Sequence, residues 1–113
     1  MELMCEHIGD VTVVMLAGAQ LDASSVGEFK RDIAHVLEEH AQVIFDLSQL
    51  GFVDSSGLGS LLGCLRQVQA RGGDLKLCSM SKSVRALFEL VRMHRIFHIF
   101  DTQEEAVRAF RQQ

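Results

Sequence analysis

Two rhythms of apolar residues alternate along the chain. "VTVVML" at 11–16, "VIFDL" at 43–47, "DLKLCS" at 74–79 and "RIFHIF" at 95–100 are short runs bounded by polar or glycine-containing segments. Such runs, too short for helices and rich in β-branched or aromatic residues, predict buried strands. A weaker run over about 2–8 predicts one more strand, and Gly9-Asp10 predicts a hairpin turn between it and the next.

Between these runs the apolar positions recur every three or four residues. Val26, Phe29, Ile33, Val36 and Leu37 share one helical face, and Ser25-x-x-Glu28 reads as a capping box at its start. Leu58, Leu61, Leu62, Leu65 and Val68 form the stripe of a second helix, stopped by Gly72-Gly73. Val84, Leu87, Phe88 and Val91 mark a third. Thr102-x-x-Glu105 caps a fourth, whose inner face carries Ala106, Ala109 and Phe110.

The predicted order is β-β-α-β-α-β-α-β-α. Strands alternating with helices imply right-handed crossovers and an α/β fold. The expected sheet is mixed, mostly parallel and five-stranded, with about four helices and the first strand antiparallel. No repeat or linker interrupts the pattern, so residues 1–113 read as one domain.

Composition narrows the function. A formal charge of −4 argues against a nucleic-acid surface, and with no Trp or Tyr a base-stacking platform is poorly supplied. The start "MELMCEHIGD" lacks the features of a signal peptide, and no apolar run approaches the roughly 18 residues of a membrane span. Cys5, Cys64 and Cys78 cannot all pair and none sits in C-x-x-C, so buried reduced thiols in a cytoplasmic protein are expected.

In a parallel sheet, functional loops gather at the carboxyl ends of the strands. "AGAQLDASS", "DSSG" and "SMSKS" all fall at that edge, and "DSSG" opens the leucine helix. A nucleophile elbow needs Gly two residues before the serine, but Val53 precedes Ser55 and Asp54 precedes Ser56 at that spacing. Gly57-x-Gly59 continues to Leu62 where a dinucleotide loop needs a small residue, and no Gly-Lys-Ser/Thr completes a P-loop. His94-x-x-x-His98 crosses the predicted helix-to-strand junction without a partner ligand, so no metal or cofactor is expected. Gly59 and Gly63, one helical turn apart, suit close approach of a neighbouring element.

Two readings of "DSSG" remain. Asp and Ser are preferred N-caps, because their oxygens accept from the free amides of the first turn. A cap needs one such residue, whereas Asp54, Ser55 and Ser56 stand together. A phosphate here would meet free amides and the positive end of the helix dipole. The local pattern does not choose between Ser55 and Ser56.

"FDLSQLGFVDSSGLGSLL", 45–62, resembles the signature of STAS domains of the anti-sigma factor antagonist type. "LAGAQLDASSVGEFKRDI", 16–33, and "GGDLKLCSMSKSVRALFEL", 72–90, resemble the family's earlier loop and helix and its later strand and helix. The resemblance implies a non-enzymatic partner switch. The unmodified protein binds an anti-sigma factor that is also a serine kinase of the histidine-kinase-like ATPase type, which frees the sigma factor. Phosphorylation blocks that binding, and a PP2C-type phosphatase reverses it. The phosphoacceptor is the hydroxyl after the motif's Asp, which carries over to Ser55. Asp22, Asp54, Ser56, Gly57, Leu58 and Gly59 carry over as the surrounding partner-binding segment. Ala19 and Gln20 stand where many relatives carry a charged residue, which bears on the kinase recognised. The rival readings are a STAS subunit of a transporter or lipid-trafficking complex, and a small nucleotide-binding or hydrolytic protein.

Overall fold

A computed structural model describes residues 1–112. The first apolar runs form β1 (Leu3–Ile8) and β2 (Val11–Leu16), paired antiparallel through a turn in which Gly9 takes φ +61°, a conformation that favours glycine. β2 then pairs in parallel with β4 (Gln42–Asp46), β4 with β6 (Asp74–Cys78), and β6 with β7 (Ile99–Phe100). The sheet order is β1-β2-β4-β6-β7, the mixed and mostly parallel five-stranded sheet expected from the pattern. Its helices are α1 (Val26–Glu39), α2 (Ser55–Ala70), α3 (Lys82–Leu90) and α4 (Gln103–Arg111).

Alternate strand residues feed two cores. Val14, Leu16, Phe45 and Leu77 meet Phe29, Ile33, Leu61 and Phe88 of α1, α2 and α3 on one face. Val11, Val13, Ile44 and Cys78 meet Ala106, Val107 and Phe110 of α4 on the other. Ala109, expected on the inner face of α4, is half-buried, and Val107 packs inward with Ala106 and Phe110. Among the described residues one cation is buried: Lys76 Nζ donates to Asp74 at 3.0 Å and to His98 Nδ1 at 3.2 Å, and lies 4.6 Å from the Phe110 ring centroid.

Several local expectations are corrected. The strand expected at 95–100 shrinks to its last two residues. Arg92 turns left-handed (φ 62°) after α3, Met93–Arg95 make a 3-10 turn, and Phe97 enters the core beside Phe88. The capping box at Ser25 does not form. Ser25 has helical backbone angles and its hydroxyl is engaged with Asp22 and the Gln20 carbonyl, while Glu28 turns to the Met1 amine. Cys5 is exposed, and only Cys64 and Cys78 are buried. A Cβ at Gly59 or Gly63 would meet nothing, so neither glycine serves a close approach. That role belongs to Gly57, against the Leu21 carbonyl, and to Gly73, against the Ala41 carbonyl.

Candidate functional site

Two very short strands build the site. β3 (Gln20–Leu21) and β5 (Phe52–Val53) pair in parallel as a separate two-stranded ribbon at the carboxyl edge of the main sheet. Gly51 and Phe52 amides donate to the Ala19 carbonyl at 2.8 and 3.2 Å, and the Asp54 amide donates to the Leu21 carbonyl at 3.3 Å. The ribbon joins the loop ahead of α1 to the loop ahead of α2.

Asp54 completes the joint. Its Oδ1 accepts from the Gly57 amide at 2.9 Å, capping α2, and its Oδ2 accepts from the Ala23 amide at 3.0 Å. Of the Asp-Ser-Ser trio, Asp54 is therefore the cap. No side-chain hydrogen bond engages Ser55 or Ser56 among the described residues, and both are exposed at the first two positions of the helix. Their amides likewise have no acceptor among the described residues, as expected for a helix start. Ser60, one turn on, contrasts with them: it is buried, and its hydroxyl donates to the Gly57 carbonyl at 2.8 Å.

Asp22 organises the neighbouring loop. Its Oδ1 accepts from the Ser24 hydroxyl at 2.6 Å and amide at 3.0 Å, and from the Ser25 hydroxyl and amide at 3.2 Å. The Ser24 hydroxyl is the main reason this carboxyl titrates below its ordinary value of 3.8, although partial desolvation opposes it. A stable carboxylate thus holds the turn that presents Ala23 to Asp54.

The structure brings Asp22, Asp54, Ser55, Ser56 and Gly57 together, with Leu58 and Gly59 in the first turns of α2. They differ in exposure: Ser55, Ser56 and Gly59 face solvent, Asp22 and Asp54 are half-buried, and Gly57 and Leu58 are buried. Gly57 shapes the site from beneath, since only a residue without Cβ lets α2 start against Leu21. Sequence reasoning missed the ribbon and Phe52, which is 52 % exposed immediately before the site. A large apolar residue in the glycine-rich stretch ahead of Asp54 was the available signal.

The arrangement is an α/β sheet edge that presents two free hydroxyls and two free amides at a helix start, braced by two carboxylates. The chain belongs to the STAS domain family, within its anti-sigma factor antagonists; the family model for the STAS domain matches residues 2–106. An anti-sigma F factor antagonist of Paenibacillus polymyxa is 28 % identical over 109 residues, covering 95 % of this chain and 92 % of its own. Another, of Lysinibacillus sphaericus, is 30 % identical over 91 residues, covering 79 % of this chain and 78 % of its own. The solved structure of the Bacillus cell fate determinant SpoIIAA in its phosphorylated form has a TM-score of 0.70 at 26 % identity, with 96 % of this chain and 99 % of that one covered. Among the described residues no helix is long and apolar enough to cross a membrane.

Proposed function

We propose that this protein is a phosphorylation-controlled switch acting on an anti-sigma factor, with Ser55 as the acceptor and no catalytic turnover of its own. In this reading the unmodified Ser55 edge docks on an anti-sigma factor that is also a serine kinase, and the sigma factor is released. The kinase transfers a phosphoryl group to Ser55 and the complex separates. A PP2C-type phosphatase restores the hydroxyl, and all of these steps take place in the cytoplasm.

The observation that carries the proposal is the division of labour at the start of α2. Asp54 does the capping, so the Ser55 hydroxyl has no structural task and stands exposed. Phosphorylation adds about −1.5 to −2 charges, which the neighbouring amides and the helix dipole favour within the protein itself. On the docking surface the same charge brings water that must be removed before a partner can approach. The fold therefore tolerates the modification while the interface does not. The choice of Ser55 over Ser56 rests on the family motif, since both hydroxyls are exposed.

Calorimetric titration of an anti-sigma factor kinase with four forms of the chain tests this reading. The unmodified protein and Ser55→Ala should bind, phosphoserine should bind about 100-fold more weakly, equivalent to about 3 kcal/mol, and Ser55→Asp should fall between. Equal affinity of the phosphorylated and unmodified forms would reject the switch. Mass-spectrometric mapping of phosphate to Ser56 alone would move the acceptor by one residue.

A further inference from the structure

The ribbon carries a side chain that its own formation does not require. Of the chain's seven phenylalanines, Phe29, Phe45, Phe88, Phe97 and Phe110 are buried and Phe100 is half-buried, whereas Phe52 is exposed. The ribbon residues divide with the pleat: Leu21 and Val53 are buried, while Phe52 and its cross-strand partner Gln20 face solvent. Backbone bonds hold the ribbon, from the Gly51 and Phe52 amides to the Ala19 carbonyl and from the Asp54 amide to the Leu21 carbonyl. Any residue except proline supplies such an amide, so these bonds do not call for an aromatic ring at position 52.

The same bonds hold the ring in place. Phe52 is pinned through its own amide, and two residues on Asp54 is tied to both Gly57 and Ala23. A side chain with two rotatable bonds on a fixed backbone loses little freedom when it docks. Its exposed surroundings are small or polar: Gly51 beside it, Gln20 across from it, and Ser55 and Ser56 just beyond. A rigid aromatic within a polar surround is the usual anatomy of an interface anchor. The outward side chains of the ribbon, Phe52 and Gln20, carry no charge, so an apolar pocket complements them better than a charged one.

We propose, resting on the switch reading of the Ser55 edge, that Phe52 is the apolar anchor of that interface and enters an apolar pocket of the anti-sigma factor. Three residues of chain span at most about 11 Å, and a standard interface covers about 800 Å² per partner. A partner seated over Ser55 therefore covers Phe52 as well. A phosphate on Ser55 then brings its charge and water to the margin of a contact that must be dry.

Biosensor kinetics of the full chain on the cognate anti-sigma factor kinase, with urea melts to verify folding, test the anchor. Phe52→Ala should weaken binding by about tenfold or more, chiefly through faster dissociation. Phe52→Thr keeps strand propensity but not the ring, so it should lose as much without loosening the ribbon. Leu90→Ala removes a more exposed apolar side chain at the far end of α3 and should bind like wild type. Phe52 variants that bind like wild type, while the chain phosphorylated on Ser55 binds weakly, would overturn the anchor and leave the switch standing. Weakened Phe52 variants beside equal binding of phosphorylated and unmodified wild type would do the reverse. An equal loss in Leu90→Ala would overturn the anchor, and a wild type that does not bind the kinase would overturn both readings.

Discussion

Alanine substitution of the three glycines in α2 should shift stability in opposite directions. At Gly57 a new Cβ would collide with the Leu21 carbonyl oxygen and lie 2.9 Å from Val53 Cγ1. The carbonyl cannot swing away freely, since it accepts from the Asp54 amide that closes the ribbon. Overpacking of this kind costs about 1–3 kcal/mol. The helix-propensity gain of alanine over glycine is about 1 kcal/mol at most, and less in the first turn. Gly57→Ala should therefore be destabilised by about 1–2 kcal/mol net. Gly59 and Gly63 lie deeper in the helix, and a Cβ at either meets nothing within 4 Å. Each alanine there should stabilise by about 0.5–1 kcal/mol. At about 4 °C per kcal/mol for a domain of this size, the thermal midpoint should fall by about 4–8 °C for Gly57→Ala and rise by about 2–4 °C for each of the others. Urea melts followed by circular dichroism give the free energies directly. Gly57→Ala as stable as wild type, or Gly59→Ala and Gly63→Ala both weakened by about 1 kcal/mol, would refute the reasoning.

Three further outcomes follow from the same geometry. Asp54→Ala should lose about 1–2 kcal/mol as a cap, while Ser55→Ala should stay within about 0.5 kcal/mol of wild type and Leu61→Ala should lose about 2–5 kcal/mol; denaturant melts rank them, and a Ser55→Ala loss matching that of Asp54→Ala would make the serine structural. Burial pushes the Cys64 thiol up to about 12 and the Cys78 thiol to about 11, so a thiol reagent at neutral pH should label Cys5 in the folded chain and the other two only after unfolding. Three rapidly reacting thiols in the native protein would contradict that burial. Because the Asp22 carboxyl is depressed on folding, its contribution is present above the ordinary value of 3.8 and is lost only as pH falls through its lower native value. Amide signals of Ser24 and Ser25, followed by NMR, should therefore hold their shifts to below pH 3.8; movement centred above that value would contradict the depression.

Much of this architecture is legible in the order of residues. β2, β4 and β6 announce themselves as short apolar runs, and the stripe from Leu58 to Val68 announces α2, because burial repeats with the period of the backbone that carries it. Asp54 followed by two serines marks a helix start at any reading. Which of the three is the cap was not legible, because Asp and Ser are both good caps and the answer depended on which oxygen reaches Gly57. At α1 the same kind of pattern misled. Ser25-x-x-Glu28 has the spacing of a capping box, but Ser25 takes helical backbone angles and its hydroxyl bonds to Asp22 instead.

The remaining features come from residues far apart in the chain. Ala23 and Asp54 are 31 positions apart, and two-residue strands have no period to detect, so the ribbon that joins the two loops leaves no local trace. The glycines show the same limit. Sequence marks Gly57, Gly59 and Gly63 alike, as residues costly to a helix. Only the packed chain shows that Leu21 forbids a side chain at the first and that nothing crowds the other two. Local periodicity determined the helices and the longer strands, because along those elements each residue's burial follows from its own place on the element. Tertiary structure decided which polar atoms meet and which glycines are needed, because those depend on distances between elements that no local pattern encodes.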